Sequence, residues 1–240
     1  MKGPIKDRSM SISSFLINVR PDYDVVSLKM SLAKIQFSEE ELLLVQNAEW
    51  LLTKNRIIKK VYEVFGSMVP EIQKLFMIPT VVPNEIFIAS AKISKGENYQ
   101  GLPYVMLDYP RSFGKSDIFA MRTMFWWGNF FSATLHLKGR YKSLLVPLLN
   151  SQIQVLAQEN FSICISGDEW RHDFNPDNYV SIRSANEQTI VQNLMKNDFC
   201  KIAAKIPLQE WDGAVTKLLA FYQTLVGIMR ISSPNDERDL

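Results

Sequence analysis

Hydrophobic and polar positions change period twice along the chain. From Ser38 to Phe76 the apolar residues recur at helical spacing. Leu42, Val45, Trp50 and Leu51 follow a Ser38/Glu41 capping box in one helix, and Ile57, Val61, Val64 and Phe65 define a second helical stretch. Gly66 is expected to break that stretch, with Pro70 in the first turn of a continuation that Ile78-Pro79 and Val82-Pro83 end. From Glu85 the period falls towards two. IFIASAKI (86–93) and LPYVMLDYP (102–110) read as strands, the second stopped at Pro110, with SKGENYQG between them as a polar loop. MRTMFWWGNFFSATLHL (121–137), the most aromatic run in the chain, reads as a β-hairpin turning at Gly128-Asn129.

Helical spacing returns after Gly139 in Leu145, Leu149, Ile153 and Leu156, with Pro147 either opening that helix or bending it. SICIS (162–166) is a short strand, GDEWRHDFNPDNY (167–179) a polar loop, and Ser184 with Glu187 a capping box ahead of Ile190, Val191 and Leu194. FCKIAAKIPL (199–208) is a last strand. Trp211, Val215, Leu218, Tyr222, Leu225 and Met229 then stripe a C-terminal helix. Residues 15–37 fit strand or helix equally well. Strands cluster mid-chain with hairpin connections and without βαβ alternation. The expected fold is therefore α+β: a central, mainly antiparallel sheet built on the aromatic hairpin and flanked by helices, in a single domain over 1–240 with loose ends at about 1–14 and 231–240.

A two-residue turn at Gly128-Asn129 would fix the register, because residues equidistant from it face each other. Trp127 would oppose Phe130, Trp126 would oppose Phe131, and Arg122 would oppose Leu135. Arg122, Met124 and Trp126 would then share an otherwise apolar face with Phe131, Ala133, Leu135 and Leu137. His136 would lie on the opposite face, with Phe125, Trp127, Phe130 and Ser132.

FWWGNFFSATLHL, ICISGDEW, FCKIAAKIPL and the last helix, together about the C-terminal half, resemble the uncharacterised bacterial YktB-like family in their order. That resemblance implies the α+β fold and a bacterial origin. It carries no activity and hence no functional residues.

Composition narrows the function classes. A net charge of +2 on 240 residues, without a Lys/Arg cluster beyond the helical KNRIIKK at 54–60, gives no footprint for nucleic acid or an anionic membrane. No apolar run is long enough to span a bilayer and no signal core opens the chain, so a cytoplasmic location is expected. Cys164 and Cys200 sit in strand-like runs, where a reduced thiol packs as a small apolar group.

Candidate chemistry is sparse. FGKS at 113–116 resembles the end of a phosphate-binding loop, but Tyr109 stands where the first glycine is required and a strand follows. Asp168, Glu169, His172 and Asp173 make an acidic loop with a single imidazole, too thin a ligand set for a metal and expected to be solvated. No metal or other cofactor is expected. What is left is a group of strand residues with charged, hydroxyl or indole ends: Lys92, Tyr104, Asp108, Arg111, Arg122, Trp126 and His136. Guanidinium groups beside large rings suit a small anionic ligand in a cleft by the hairpin, with Arg122 and Arg111 as anchors and His136 as the only proton carrier. Alternatively, Arg122 pairs with Asp108 across the sheet. The second expectation for function is an assembly module, a homo-oligomer or a protein partner, using the hairpin aromatics as its surface. The residues decide neither for nor against catalysis.

Overall fold

The computed structural model describes residues 36–231, so the expectations for 1–14, for the ambiguous stretch up to 35 and for 232–240 lie outside the described residues. The chain divides into two compact units, Met1–Lys54 and Asn55–Leu240. In the first, α1 (Glu39–Gln46) starts at the expected box: the Glu41 amide donates to Ser38 Oγ at 3.1 Å and the Ser38 amide to Glu41 Oε2 at 2.7 Å. Asn47 ends α1 and its Oδ1 accepts from the Trp50 amide at 3.1 Å, so α2 (Ala48–Leu75) begins where one continuous helix was expected.

In the second unit α2 runs unbroken past Gly66 and Pro70. Phe65, Met68 and Ile72 on its inner face are fully buried. Burial of large apolar side chains, about 1.5–3 kcal/mol each, outweighs the roughly 3 kcal/mol of an interior proline.

Seven antiparallel strands follow: β1 (Lys92–Tyr99), β2 (Leu102–Phe113), β3 (Ile118–Trp126), β4 (Phe130–Lys138), β5 (Ser162–Cys164), β6 (Tyr179–Ser181) and β7 (Phe199–Pro207). They form one sheet in the order β1-β2-β3-β4-β7-β5-β6. The fold is thus α+β with an open antiparallel sheet. Two strand assignments move. Ile86 and Phe87, expected to open a strand, instead end a 3-10 turn (Asn84–Phe87) that buries Ile86 and sets Phe87 edge-on to Phe76 at 5.0 Å. SKGENY, expected as loop, is most of β1, which lies at the sheet edge, pairs on one side only and needs few apolar residues. β2 continues beyond Pro110 because a bulge between Asp108 and Arg111 takes Tyr109-Pro110 out of the ladder, where a missing N–H costs nothing.

Helices α3 (Arg140–Ser151), α4 (Ile153–Gln158), α5 (Glu187–Lys196) and α6 (Trp211–Ile228) complete the unit. Pro147 lies inside α3. The cap of α5 is Asn186, whose Oδ1 accepts from the Thr189 amide at 2.7 Å, while Ser184 turns its hydroxyl back to the Ser181 carbonyl at 3.3 Å. One face of the sheet, with Leu107, Met121, Phe125, Phe131, Leu135 and Ile202, merges with Phe65, Tyr141, Leu145, Leu218 and Leu225 of the helices into a single core. Thr123 Oγ1 and Tyr222 Oη meet across it at 2.9 Å.

The hairpin register departs from expectation by one residue. Trp126 opposes Phe130, Phe125 opposes Phe131 and Arg122 opposes Thr134, leaving Trp127, Gly128 and Asn129 as the loop. The Asn129 amide closes the turn on the Trp126 carbonyl at 3.0 Å, and Gly128 takes φ 72 at the third position, where a type II turn requires positive φ. An odd loop count reverses one strand relative to the other. Arg122, Met124 and Trp126 therefore share a face with Phe130, Ser132, Thr134 and His136, and the apolar set of β4 faces the helices.

Candidate functional site

The reversed register brings all seven candidate residues to one face of the sheet. Lys92, Asp108, Arg122 and Thr134 stand in one row across β1 to β4. Arg111, Ala120, His136 and Lys201 form the next row, because the β2 bulge restores Arg111 to this side. Tyr104 lies in the row of Trp126 and Phe130 at the hairpin end. Sharing a face is not sharing a site. Lys92 is exposed at the edge, and Arg111 spends its Nε on the Ser90 carbonyl at 3.1 Å.

At the centre of the face Arg122 is paired with Asp108, Nε to Oδ1 at 2.6 Å and Nη2 to Oδ2 at 3.4 Å, both side chains being nearly buried. Its guanidinium also lies 5.5 Å from the Phe113 ring and 5.8 Å from that of Trp170. His136, fully buried, bonds Glu169 Oε2 through Nε2 at 3.1 Å, and Lys138 Nζ holds the other Glu169 oxygen at 2.9 Å. Burial, reinforced by the charges of Lys201, Arg122 and Lys138, pulls His136 down to about 3, so the neutral ring donates Nε2–H to Glu169. His172 is lowered as well, by burial first and then by the charges of Lys201 and Arg122. Lys201 is buried too, which brings it down to about 8, and its ammonium donates to the Arg171 carbonyl.

The acidic segment expected to be solvated is pinned over this face. Asp173 is its hub: Arg171 donates to it through Nε at 3.1 Å and Nη2 at 2.9 Å, Gln100 Nε2 at 3.1 Å and the Tyr99 hydroxyl at 3.3 Å. Tyr99 Oη in turn accepts from the amides of His172, at 2.6 Å, and Asp173. Burial acts to raise the Asp173 carboxyl, but the Arg171 fork and the Asn175 amide outweigh it and hold it below the ordinary range. The Lys138–Glu169 pair, the Lys201 ammonium on the Arg171 carbonyl and the neutral donors Tyr99 and Gln100 on Asp173 fix a stretch that looks like a free loop.

Between this segment and the hairpin turn runs a groove of about 380 Å³, walled by Trp126, Phe130 and Asn129 of the hairpin, Gln100, Phe174 and Lys205 among others. Trp126 is 5% exposed and its Nε1–H has no partner. The Lys205 ammonium, exposed, sits 5.3 Å from the Phe174 ring centre and 5.7 Å from that of Phe130, and makes no ion pair with the described residues. Of the seven sequence candidates only Trp126 lines the groove; Arg122 is four residues further along β3, about 13 Å away. Lys205 is a lining residue absent from the sequence candidates, and FCKIAAKIPL carried a signal for it. Its period of two puts Lys201, Ala203 and Lys205 on one side, and that alternation was the available signal.

Trp126, Phe130 and Phe131 are buried, whereas Trp127 at the hairpin turn is half-buried. Cys164 and Cys200 are buried free thiols, and burial pushes Cys200 up to about 12. Among the described residues no group of three or more His, Cys, Asp or Glu is placed to hold a metal ion, and no helix is long and apolar enough to cross a membrane. No family model, no curated protein and no solved structure matches the chain.

Proposed function

We propose that the second unit binds a small anionic ligand in the groove beside the hairpin, with Lys205 as its anchor. The carrying observation is the exposed Lys205 ammonium on the groove wall, which makes no ion pair with the described residues. An anionic oxygen there would accept a charge-assisted hydrogen bond from it. This reading keeps the cleft expected from the sequence and replaces Arg122 and Arg111 as anchors, since both are engaged elsewhere.

Calorimetric titration with inorganic phosphate and acetate tests it. Lys205→Ala removes the exposed charge. It is expected to weaken binding about tenfold to a hundredfold, the worth of one hydrogen bond to a charged group. Equal binding by the variant and the wild type would end the proposal.

The assembly reading has a different observation in its favour. Leu43 and Val45 in α1, and Leu51 and Leu52 in the first turns of α2, are exposed. A second copy meeting those leucines would make the mass in solution rise with concentration, and Leu43→Glu with Leu51→Glu would abolish the rise. A constant monomer mass excludes it.

A further inference from the structure

Residues 168–173, the part of the pinned segment nearest the centre of the sheet, carry one imidazole and close over the other. His136, on the central strand β4, is fully buried, with the Trp170 ring edge-on to it at 5.6 Å and the Glu169 carboxylate on its Nε2. His172 sits in the segment itself, its ring 5.5 Å from that of Tyr99. Beyond these residues the segment is fixed by aromatic packing, because Phe174 stacks on Tyr179 at 4.6 Å. Before Phe174 it is tied to the sheet by polar bonds: Glu169 to His136 and Lys138, the Arg171 carbonyl to Lys201, and the amides of His172 and Asp173 to Tyr99 Oη.

Neither ring has room for a proton where it stands. Arg122 of β3, Lys138 of β4 and Lys201 of β7 face His136, against Glu169 alone, and Lys138 already shares that carboxylate. Asp108 of β2 is paired with Arg122 and Asp173 with Arg171, while Asp168 and Asp173 face Lys201. His136 Nδ1 is buried without a partner, so protonation would make it a charged donor lacking an acceptor. His172 meets the charges of Lys201 and Arg122 and the Tyr99 hydroxyl of β1. Lifting residues 168–173 carries His172 into water and uncovers His136, where each imidazole regains its ordinary value of about 6.5. Because both rings are held below that value when covered, the closed segment is fully stable above about pH 6.5 and loses stability as pH falls, only the open state taking up the protons.

We propose that residues 168–173 are an acid-released strap, closed over the sheet while His136 and His172 are neutral and lifted from it when they take up protons, the sheet itself staying folded. When the strap lifts, Asp173 leaves the groove wall and Gln100 loses its partner, so acidification takes one side of the groove apart. This holds whatever the groove binds.

Amide exchange of the full chain tests it, read residue by residue by NMR at about pH 7 and 5.5 and divided by the intrinsic exchange rates. The reporters are the His172 and Asp173 amides, both donors to Tyr99 Oη. Their exchange is expected to accelerate about eightfold if one ring is released and roughly seventyfold if both are. The central amides of β3, β4 and β7 should accelerate by the same factor, since global unfolding also frees the rings, and remain the slower. His136→Gln, whose amide still has a donor for Glu169, should leave the factor of one ring, and His136→Gln with His172→Gln should leave the strap rates flat. If the sheet accelerates on acidification and the strap does not, the protons enter only by global unfolding and the strap is no switch. Strap amides no faster than those of β4 at either pH overturn the inference too, since the strap then opens only with the sheet. So does a strap and sheet that both keep their rates, because the rings then protonate in place.

Discussion

Arg122 and Asp108 show how a residue's need for a partner can be legible when its surroundings are not. A guanidinium in an aromatic strand must be paired wherever it points, and Asp108 was a foreseeable partner one strand away. Removing only one member leaves the other charge nearly buried. Asp108→Ala is expected to cost about 3–5 kcal/mol, and Asp108→Leu combined with Arg122→Met to recover most of it, as read by urea denaturation. A double variant no more stable than Asp108→Ala would show instead that the loss comes from the pair itself and not from an orphaned Arg122 charge. The two histidines, the only ones in the chain, give a second residue-scale test. Both have folded values below the ordinary 6.5, His136 near 3. As pH falls below about 6.5 the unfolded chain takes up protons that the folded chain refuses, so stability is complete above that pH and declines towards 3. Between pH 6 and 5, before most carboxylates titrate, His136 contributes a slope of about 1.2 kcal/mol per pH unit. His136→Gln should remove that contribution, and a flat profile in the wild type would mean that both rings protonate in place. Burial first, and then the charges of Lys201, Arg122 and Lys138, lower His136, while Glu169 is its hydrogen-bond partner.

At the scale of the element, periodicity located nearly every helix and strand, and failed where one backbone detail decides a whole set of side chains. The aromatic run is a hairpin, but Gly-Asn was counted as a two-residue loop, and the third loop residue, Trp127, exchanges the faces of β4 relative to β3. Nothing in the composition of the two strands distinguishes the registers, since both put aromatics near the turn. The burial of Phe131, Leu135 and Leu137 under the helices decides it, and that is tertiary information. The same holds for Gly66 and Pro70, whose local preference yields to the buried face of α2. The turn from β4 into α3 carries an element-scale prediction. Gly139 takes φ 58, and a Cβ there would overlap the Asp117 carboxylate and the Ser116 carbonyl. Asp117 Oδ1 meanwhile accepts from the Arg140 amide at 2.8 Å at the start of the helix. Gly139→Ala should therefore destabilise by more than Gly128→Ala, where φ is also positive but the space is open. We expect about 1 kcal/mol for Gly128 and at least twice that for Gly139, compared by urea midpoints. The reverse ranking would mean that the Asp117 loop yields without cost.

The second unit as a whole is one sheet with unlike coverings, and that asymmetry sets where it should open. One face is sealed by α2, α3 and α6 in a continuous apolar core. The other is covered at its centre by the segment that Asp173, Glu169 and Arg171 pin through polar bonds. Polar bonds to partly exposed groups contribute less than apolar burial and are easier to exchange for water, so this segment can lift without unfolding the core. The strand order adds a gradient across the sheet: β3, β4 and β7 are paired on both sides, whereas β1 and β6 are the edges. Amide hydrogen exchange should accordingly leave β3, β4 and β7 protected to the level of global unfolding. Residues 166–178 and the outer amides of β1 should exchange through smaller openings. Because the groove wall includes Asp173, Phe174 and Asn175, a bound ligand should slow exchange in 166–178 and leave β3, β4 and β7 unchanged. If 166–178 instead exchanges as slowly as β4 without ligand, the polar bonds hold it as firmly as the core, and ligand entry is confined to the open side of the groove.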